Sequence, residues 1–349
     1  LFESESILKV DEKRSLIWYT GRGGPNPHKL QLYRTKFDGS GNMCLTDQTL
    51  NHSVQLSPTG DYFVDTADAL DVPPSVRLID SQGRVLSALA TSDLTEFKQM
   101  GGQSAERITF KSADGKYDLY GRLYKPSNFD PAKKCPVLVS VYNGPQSTPY
   151  NESYRLQDNL TELGFLRFSV ESRGGGNRGR DFDNSMYLNL GVVEIDDIAA
   201  GVKALATKSF VDGKKVGVYG TSYGGYSSIM CLLRHPDVFQ AAVASSSVTD
   251  WRHYDSIYTE RYMWIPQENK KGYEAGSAMT YAKDLKGDLM LYWGTLDDNV
   301  HPANTMQLIR ALQRERKSFD VQVTPDAGHS GVNNQRMLEF FIEKLMTKN

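Results

Sequence analysis

Three separated groups of residues in this chain have the types and the order that nucleophilic catalysis requires. The first is Ser222, within Gly220-Thr221-Ser222-Tyr223-Gly224-Gly225, directly after the run Lys215-Val216-Gly217-Val218-Tyr219. A strand that ends in G-x-S-x-G and passes into a helix turns sharply enough to expose the serine hydroxyl, and the flanking glycines permit the turn. A serine hydroxyl is a weak nucleophile at neutral pH. It needs a base to take its proton and a carboxylate to hold that base in one tautomer. On such an elbow the partners follow in the chain order serine, acid, histidine.

Two downstream loops supply those partners. The apolar run Leu289-Met290-Leu291-Tyr292-Trp293 leads into Gly294-Thr295-Leu296-Asp297-Asp298-Asn299-Val300-His301, and Phe319-Asp320-Val321-Gln322-Val323 leads toward Asp326-Ala327-Gly328-His329. Of the six histidines, His28 and His52 precede the serine, and His235 and His253 lie between it and the acids. His301 stands just before a helical stretch from Ala303 to Arg314, which suits a loop or helix-start role. His329 is the expected base. Asp297, first after the turn, is the preferred acid, with Asp298 as the alternative.

Bringing these groups together requires strands whose carboxyl ends meet, because catalytic groups in open α/β sheets gather there. Strands are expected near 118–124, 136–142, 165–170, 215–220, 240–246, 287–293 and 319–324. Between them run amphipathic segments such as Val193 to Leu205, where Ile195, Ile198, Val202 and Leu205 recur at helical spacing and Glu194, Asp196 and Asp197 fall at the favourable end of the helix dipole. Strands alternating with helices imply a mainly parallel, doubly wound sheet covered on both faces, the α/β-hydrolase architecture.

Gly220 to Tyr226, the segment Tyr254-Asp255-Ser256-Ile257-Tyr258-Thr259-Glu260-Arg261-Tyr262-Met263, Gly294 to His301 and the final Asp-x-x-His together resemble the catalytic domain of the dipeptidyl peptidase IV group in the prolyl oligopeptidase family. The likeness covers about residues 95 to 349. It implies Ser222, Asp297 and His329 as the triad. It also implies an oxyanion hole made by the hydroxyl of Tyr142, which follows Pro136-Val137-Leu138-Val139-Ser140-Val141, and the backbone N–H of Tyr223. By the same resemblance Tyr223, Val248, Trp251, Tyr254, Tyr258 and Val300 enclose a small apolar pocket that fits proline, and less well alanine, while Asn299 holds a substrate carbonyl. The implied activity is release of N-terminal dipeptides by cleavage after proline or alanine. Implied with it are peptide substrates, a homodimer formed through the hydrolase domain, and a periplasmic, cell-envelope or secreted location. An esterase or acylaminoacyl peptidase of the same fold, and an inactive interaction module, are the alternatives, since fold does not fix substrate.

The N-terminal part repeats. Leu8 aligns with Val54, Thr20 with Thr66 and Leu30 with Val76, an offset of 46 residues each time. Strand-rich repeats of this period read as propeller blades of about four strands. Two blades cannot close a propeller, so residues 1–92 are expected to be its last blades, residues 93–349 the α/β-hydrolase domain, and the chain a piece of a longer protein.

Composition excludes other classes. The 349 residues are 39% hydrophobic and 23% charged with a net charge of −2, an ordinary globular balance that offers no basic field to nucleic acid. The three cysteines, Cys44, Cys135 and Cys231, are too widely spaced for a zinc site and form no disulfide framework. No metal or other cofactor is expected, since Gly174-Gly175-Gly176-Asn177-Arg178-Gly179 lacks the Gly-Lys-Ser/Thr ending of a phosphate loop. By resemblance that loop lies near the active site.

Overall fold

The 46-residue repeat folds as two four-stranded antiparallel sheets. In the computed structural model, which describes residues 3–23, 26–157 and 159–347, the first sheet runs β1 (Glu3–Asp11), β2 (Leu16–Arg22), β3 (Leu30–Lys36), β4 (Met43–Cys44). The second runs β5 (Asn51–Leu56), β6 (Tyr62–Ala69), β7 (Val72–Asp80), β8 (Val85–Thr91). Neighbours pair in sequence order, as in propeller blades. Trp18, Leu32, Leu45, Phe63 and Ile79 form one buried cluster shared by the two sheets.

The chain divides into two compact units. One comprises Leu1–Glu106 with Tyr150–Gln157 and Asn177–Arg180; the other comprises Arg107–Pro149, Asp158–Gly176 and Asp181–Asn349. The terminal residues Leu1, Phe2, Lys348 and Asn349 of the expected domain ranges lie outside the described residues.

The second unit is built on an eight-stranded sheet, completed by β9 (Glu106–Lys111), β10 (Asp118–Tyr124), β11 (Cys135–Ser140), β12 (Leu166–Val170), β13 (Val211–Thr221), β14 (Ala241–Ser245), β15 (Asp288–Gly294) and β16 (Asp320–Thr324). Across the sheet the order is β16-β15-β14-β13-β11-β12-β10-β9. Every described pair from β16 to β12 is parallel, and β10 runs antiparallel to β12. Strand β9 was not among the expected strands. Its inward Ile108 and Phe110 alternate with exposed Arg107, Thr109 and Lys111, the period-two pattern of a half-buried strand.

The central strands are apolar along their whole length because both faces are covered. Val137, Val139, Ala242, Ala244, Leu289 and Leu291 face one side, where the helices Val193–Leu205 and Tyr223–Arg234 pack. Leu138, Ala241, Val243 and Met290 face the other, against Phe340 and Phe341 of the helix Asn334–Phe341. With the strands parallel, the segments after β11, β13, β15 and β16 all leave from one edge. Tyr142, Ser222, Asp297 and His329 lie in those four segments.

Among the described residues, no helix is long and apolar enough to cross a membrane.

Candidate active site

Ser222 sits between the end of β13 and the helix Tyr223–Arg234 with φ 63° and ψ −122°. A non-glycine residue in such a conformation costs on the order of 1–3 kcal/mol and persists only where its surroundings enforce it. Here the Ser222 N–H donates to the Ser245 carbonyl at 2.9 Å, and the Ser222 carbonyl accepts from the Tyr226 N–H at 3.0 Å. The glycines are required by crowding. A Cβ at Gly220 or at Gly224 would stand 2.4 Å from the Val141 carbonyl oxygen.

Asp297, after β15, has a fully buried side chain. Its Oδ1 accepts the backbone N–H of Asn299 at 3.1 Å and of Val300 at 2.9 Å. The Nδ1 of His329 lies 3.1 Å from Oδ1 and 2.9 Å from Oδ2. Facing only carboxylate oxygens, Nδ1 carries the proton, which leaves Nε2 as the basic nitrogen. Asp298 is exposed. His301 is also exposed, and its Nδ1 accepts the Ala303 N–H at 3.1 Å, at the start of the helix Ala303–Arg314.

The loop carrying His329 is tied down around it. The Leu296 N–H donates to the Ala327 carbonyl at 2.9 Å, the Ser246 hydroxyl to the Ser330 carbonyl at 2.7 Å, and the Val332 N–H to Ser245 Oγ at 3.1 Å. Asp297 and His329 are therefore joined directly. Ser222 and His329 share no hydrogen bond, and among the described residues neither the Ser222 hydroxyl nor His329 Nε2 engages another side chain. Such contacts are often long before substrate binds.

Tyr142 follows β11 and is 46% exposed. Its backbone is fixed by a hydrogen bond from the Ser227 hydroxyl to the Tyr142 carbonyl at 2.9 Å, and by Asn143, a buried residue at φ 56°. The Asn143 amide donates to the Val170 carbonyl at 3.0 Å and to Ser172 Oγ at 2.9 Å. Sequence reasoning missed Asn143; asparagine is one of the few side chains that enters the left-handed region readily. The glycine-rich loop lies against this turn, as the Gln146 N–H donates to the Gly174 carbonyl and the Gly176 N–H to the Ser147 carbonyl.

The aromatic residues form one continuous cluster. The Tyr223 ring lies 5.9 Å from that of Tyr142 and 5.3 Å from that of Trp251; Trp251 stacks on Tyr258 at 5.8 Å, and Tyr254 meets Tyr258 edge-on at 5.4 Å. Val248 and Val300 are buried with them. Burial raises Tyr254 above the ordinary phenol range and raises Tyr223 and Tyr258 much further, so all three stay protonated donors at neutral pH. The Tyr254 hydroxyl donates to Asn299 Oδ1 at 2.7 Å, which directs the Asn299 amide nitrogen elsewhere as a donor.

The acids at the start of the helix Val193–Leu205 do more than meet its dipole. Asp197 is fully buried and paired with Arg173 at 2.8 Å, while Asp196 pairs with Arg234 at 3.1 Å and lies 2.8 Å from His235 Nε2. Glu194 is fully buried and accepts the Tyr223 hydroxyl at 2.8 Å. Its position at a helix start concealed this partner. Among the described residues no three His, Cys, Asp or Glu side chains converge as a metal site requires.

Comparison with known proteins places this chain in a family. The description of the prolyl oligopeptidase family matches residues 152–346, and that of the dipeptidyl peptidase IV N-terminal region matches residues 2–74. Dipeptidyl peptidase 8 of Mus musculus is 35% identical over 348 residues, covering 93% of this chain and 38% of its own length. Dipeptidyl peptidase 8 of Homo sapiens is 34% identical with the same coverage. The crystal structure of dipeptidyl peptidase 4 from Porphyromonas gingivalis superposes with a TM-score of 0.85 at 30% identity, over 99% of this chain and 50% of that one. The chain thus spans less than half the length of these curated relatives. Matched over more than half of its own length, and folded as a propeller-like segment followed by an α/β-hydrolase sheet, the chain belongs to the prolyl oligopeptidase family.

Proposed function

We propose that this chain carries the catalytic machinery of a serine peptidase that releases N-terminal dipeptides by cleaving after proline or alanine. The observation that carries the reading is the Asp297–His329 pair at the strand edge where the strained Ser222 elbow also stands. In this reading residues 93–349 are the catalytic domain and residues 1–92 the last blades of a propeller. A homodimer formed through the catalytic domain is part of the same proposal.

Ser222 Oγ attacks the scissile carbonyl carbon as its proton passes to His329 Nε2, and Asp297 stabilises the imidazolium that forms. The carbonyl π electrons move onto oxygen. That oxyanion accepts hydrogen bonds from the Tyr142 hydroxyl and the Tyr223 N–H, each worth about 3–4 kcal/mol of barrier. Collapse breaks the C–N bond, and His329 returns the proton to the leaving amine. Water then repeats the sequence on the acyl-enzyme, with His329 again as base.

Flat rings around a narrow apolar space suit a pyrrolidine ring and penalise long or charged side chains through desolvation. The Asn299 amide nitrogen, freed by the Tyr254 hydroxyl, is a donor for the carbonyl one residue further back. Dipeptide release as the outcome rests on the family relationship and on the relatives named above.

A fluorophosphonate probe tests the nucleophile, and paired amides test the pocket. Labelling that disappears in Ser222→Ala and His329→Ala, with Gly-Pro amides cleaved in preference to Gly-Lys amides and long-chain esters, is the expected result. Tyr258→Ala should reduce the proline preference by on the order of 1–3 kcal/mol. Faster turnover of long-chain esters would replace the peptidase reading by an esterase; no labelling of wild type would leave an interaction module.

A further inference from the structure

Glu194 has no part in the chemistry above, yet it lies directly beneath it. Its Oε1 accepts two hydrogen bonds, from the Tyr223 hydroxyl at 2.8 Å and from the Gly191 N–H at 2.5 Å, while its Oε2 is buried without a partner. The neighbouring Arg234 makes no hydrogen bond to it: that guanidinium donates to the Gly191 and Val192 carbonyls and pairs with Asp196, and its charge only partly offsets the effect of burial. Complete burial pushes the Glu194 carboxyl up to about 7. Two donors thus hold the carboxyl at Oε1, while burial favours its protonated form.

A buried acid without a cation costs stability, and an exposed acid would satisfy the helix dipole equally well. What the burial achieves is a fixed Tyr223. That residue spans the site: its ring stands between Tyr142 and Trp251, and its N–H follows the nucleophile. We propose that Glu194 is a positioning residue that clamps the Tyr223 hydroxyl, holds the ring as a rigid wall of the pocket, and thereby sets the discrimination between proline and alanine before the scissile bond. The proposal rests on the peptidase reading of the pocket. Glutamine keeps the acceptor oxygen that the Tyr223 hydroxyl uses, whereas leucine keeps only the volume.

The test is steady-state kinetics on Gly-Pro and Gly-Ala amides with the full chain, for wild type, Glu194→Gln, Glu194→Leu, Tyr223→Phe and the double variant Glu194→Leu/Tyr223→Phe, with fluorophosphonate labelling in parallel. Glu194→Gln should keep the proline-to-alanine preference within about threefold. Glu194→Leu should lose on the order of tenfold of it, mainly through KM, and still be labelled. Tyr223→Phe should lose as much, and the double variant no more than the worse single, because both changes remove one contact. The clamp is overturned if the two amides decline equally, if the single effects add, or if Glu194→Gln loses as much as Glu194→Leu. Should Glu194→Leu fail to fold, Tyr223→Phe must show the loss alone, and an unchanged preference there overturns the clamp. A wild-type chain that is neither labelled nor active removes the peptidase reading and the clamp with it, whereas an active wild type with insensitive Glu194 variants removes the clamp only.

Discussion

Replacing Asp297 by asparagine isolates one charge and one proton without changing volume. In the structure Asp297 Oδ1 accepts the N–H groups of Asn299 and Val300 and lies 3.1 Å from His329 Nδ1, while Oδ2, which has no backbone donor among the described residues, is the nearer to Nδ1 at 2.9 Å. An asparagine keeps its carbonyl oxygen toward the two backbone donors and so presents its NH₂ group to His329. That group cannot accept a hydrogen bond, so Nδ1 becomes the acceptor and the proton moves to Nε2. The imidazole can then no longer receive the Ser222 proton. In serine proteases this wrong-tautomer state costs about 10⁴ in kcat, which is about 5–6 kcal/mol of barrier. The expected result for Asp297→Asn is therefore a fall of that order in Gly-Pro amide turnover, with KM changed only a few-fold and the melting temperature nearly unchanged. Asp298→Asn, at an exposed position, should remain close to wild type. Turnover by Asp297→Asn within tenfold of wild type, or an equal loss in Asp298→Asn, would refute the assignment of the acid.

Removing the Tyr142 hydroxyl with Tyr142→Phe should lower kcat by roughly 10²–10³ with little effect on KM, since the donor is needed only when the oxyanion forms; stopped-flow acylation reads this directly. Gly224→Ala should destabilise the fold by about 1–3 kcal/mol or more, because the new Cβ would stand 2.4 Å from a backbone oxygen that cannot yield, and a shift in urea midpoint reports it. Glu194 supplies a pH dependence with a definite sign. Its pKa is raised from 4.5 to about 7 by burial, so between those values the folded state holds a proton that the unfolded state has released, and stability falls as pH rises. Glu194→Gln should remove this slope and be more stable than wild type at pH 8 by on the order of 3 kcal/mol, with the advantage gone at pH 4; a constant difference across that range would contradict it.

The order Ser222, Asp297, His329, the elbow glycines, the parallel strands and the 46-residue repeat are all legible in the sequence, because each depends on local chemistry or on a short period. Strand β14, with Ala241, Ala242, Val243 and Ala244, reads as a buried strand for the same reason: covered faces demand apolar residues on both sides. Other features depend on residues far apart in the chain and need the folded structure. Asp297 and Asp298 are chemically equivalent neighbours, and only the turn after β15 puts the first against His329 and leaves the second exposed. Glu194, Asp196 and Asp197 look alike as acids at a helix start, yet tertiary packing gives them a tyrosine, an arginine and histidine pair, and a buried arginine. The turn after β11 depends on Asn143, whose amide meets groups on a segment nearly thirty residues away. Pattern and order follow from side-chain type along the chain, whereas the choice of partner is made when burial removes water and each polar atom must find a specific group in its place.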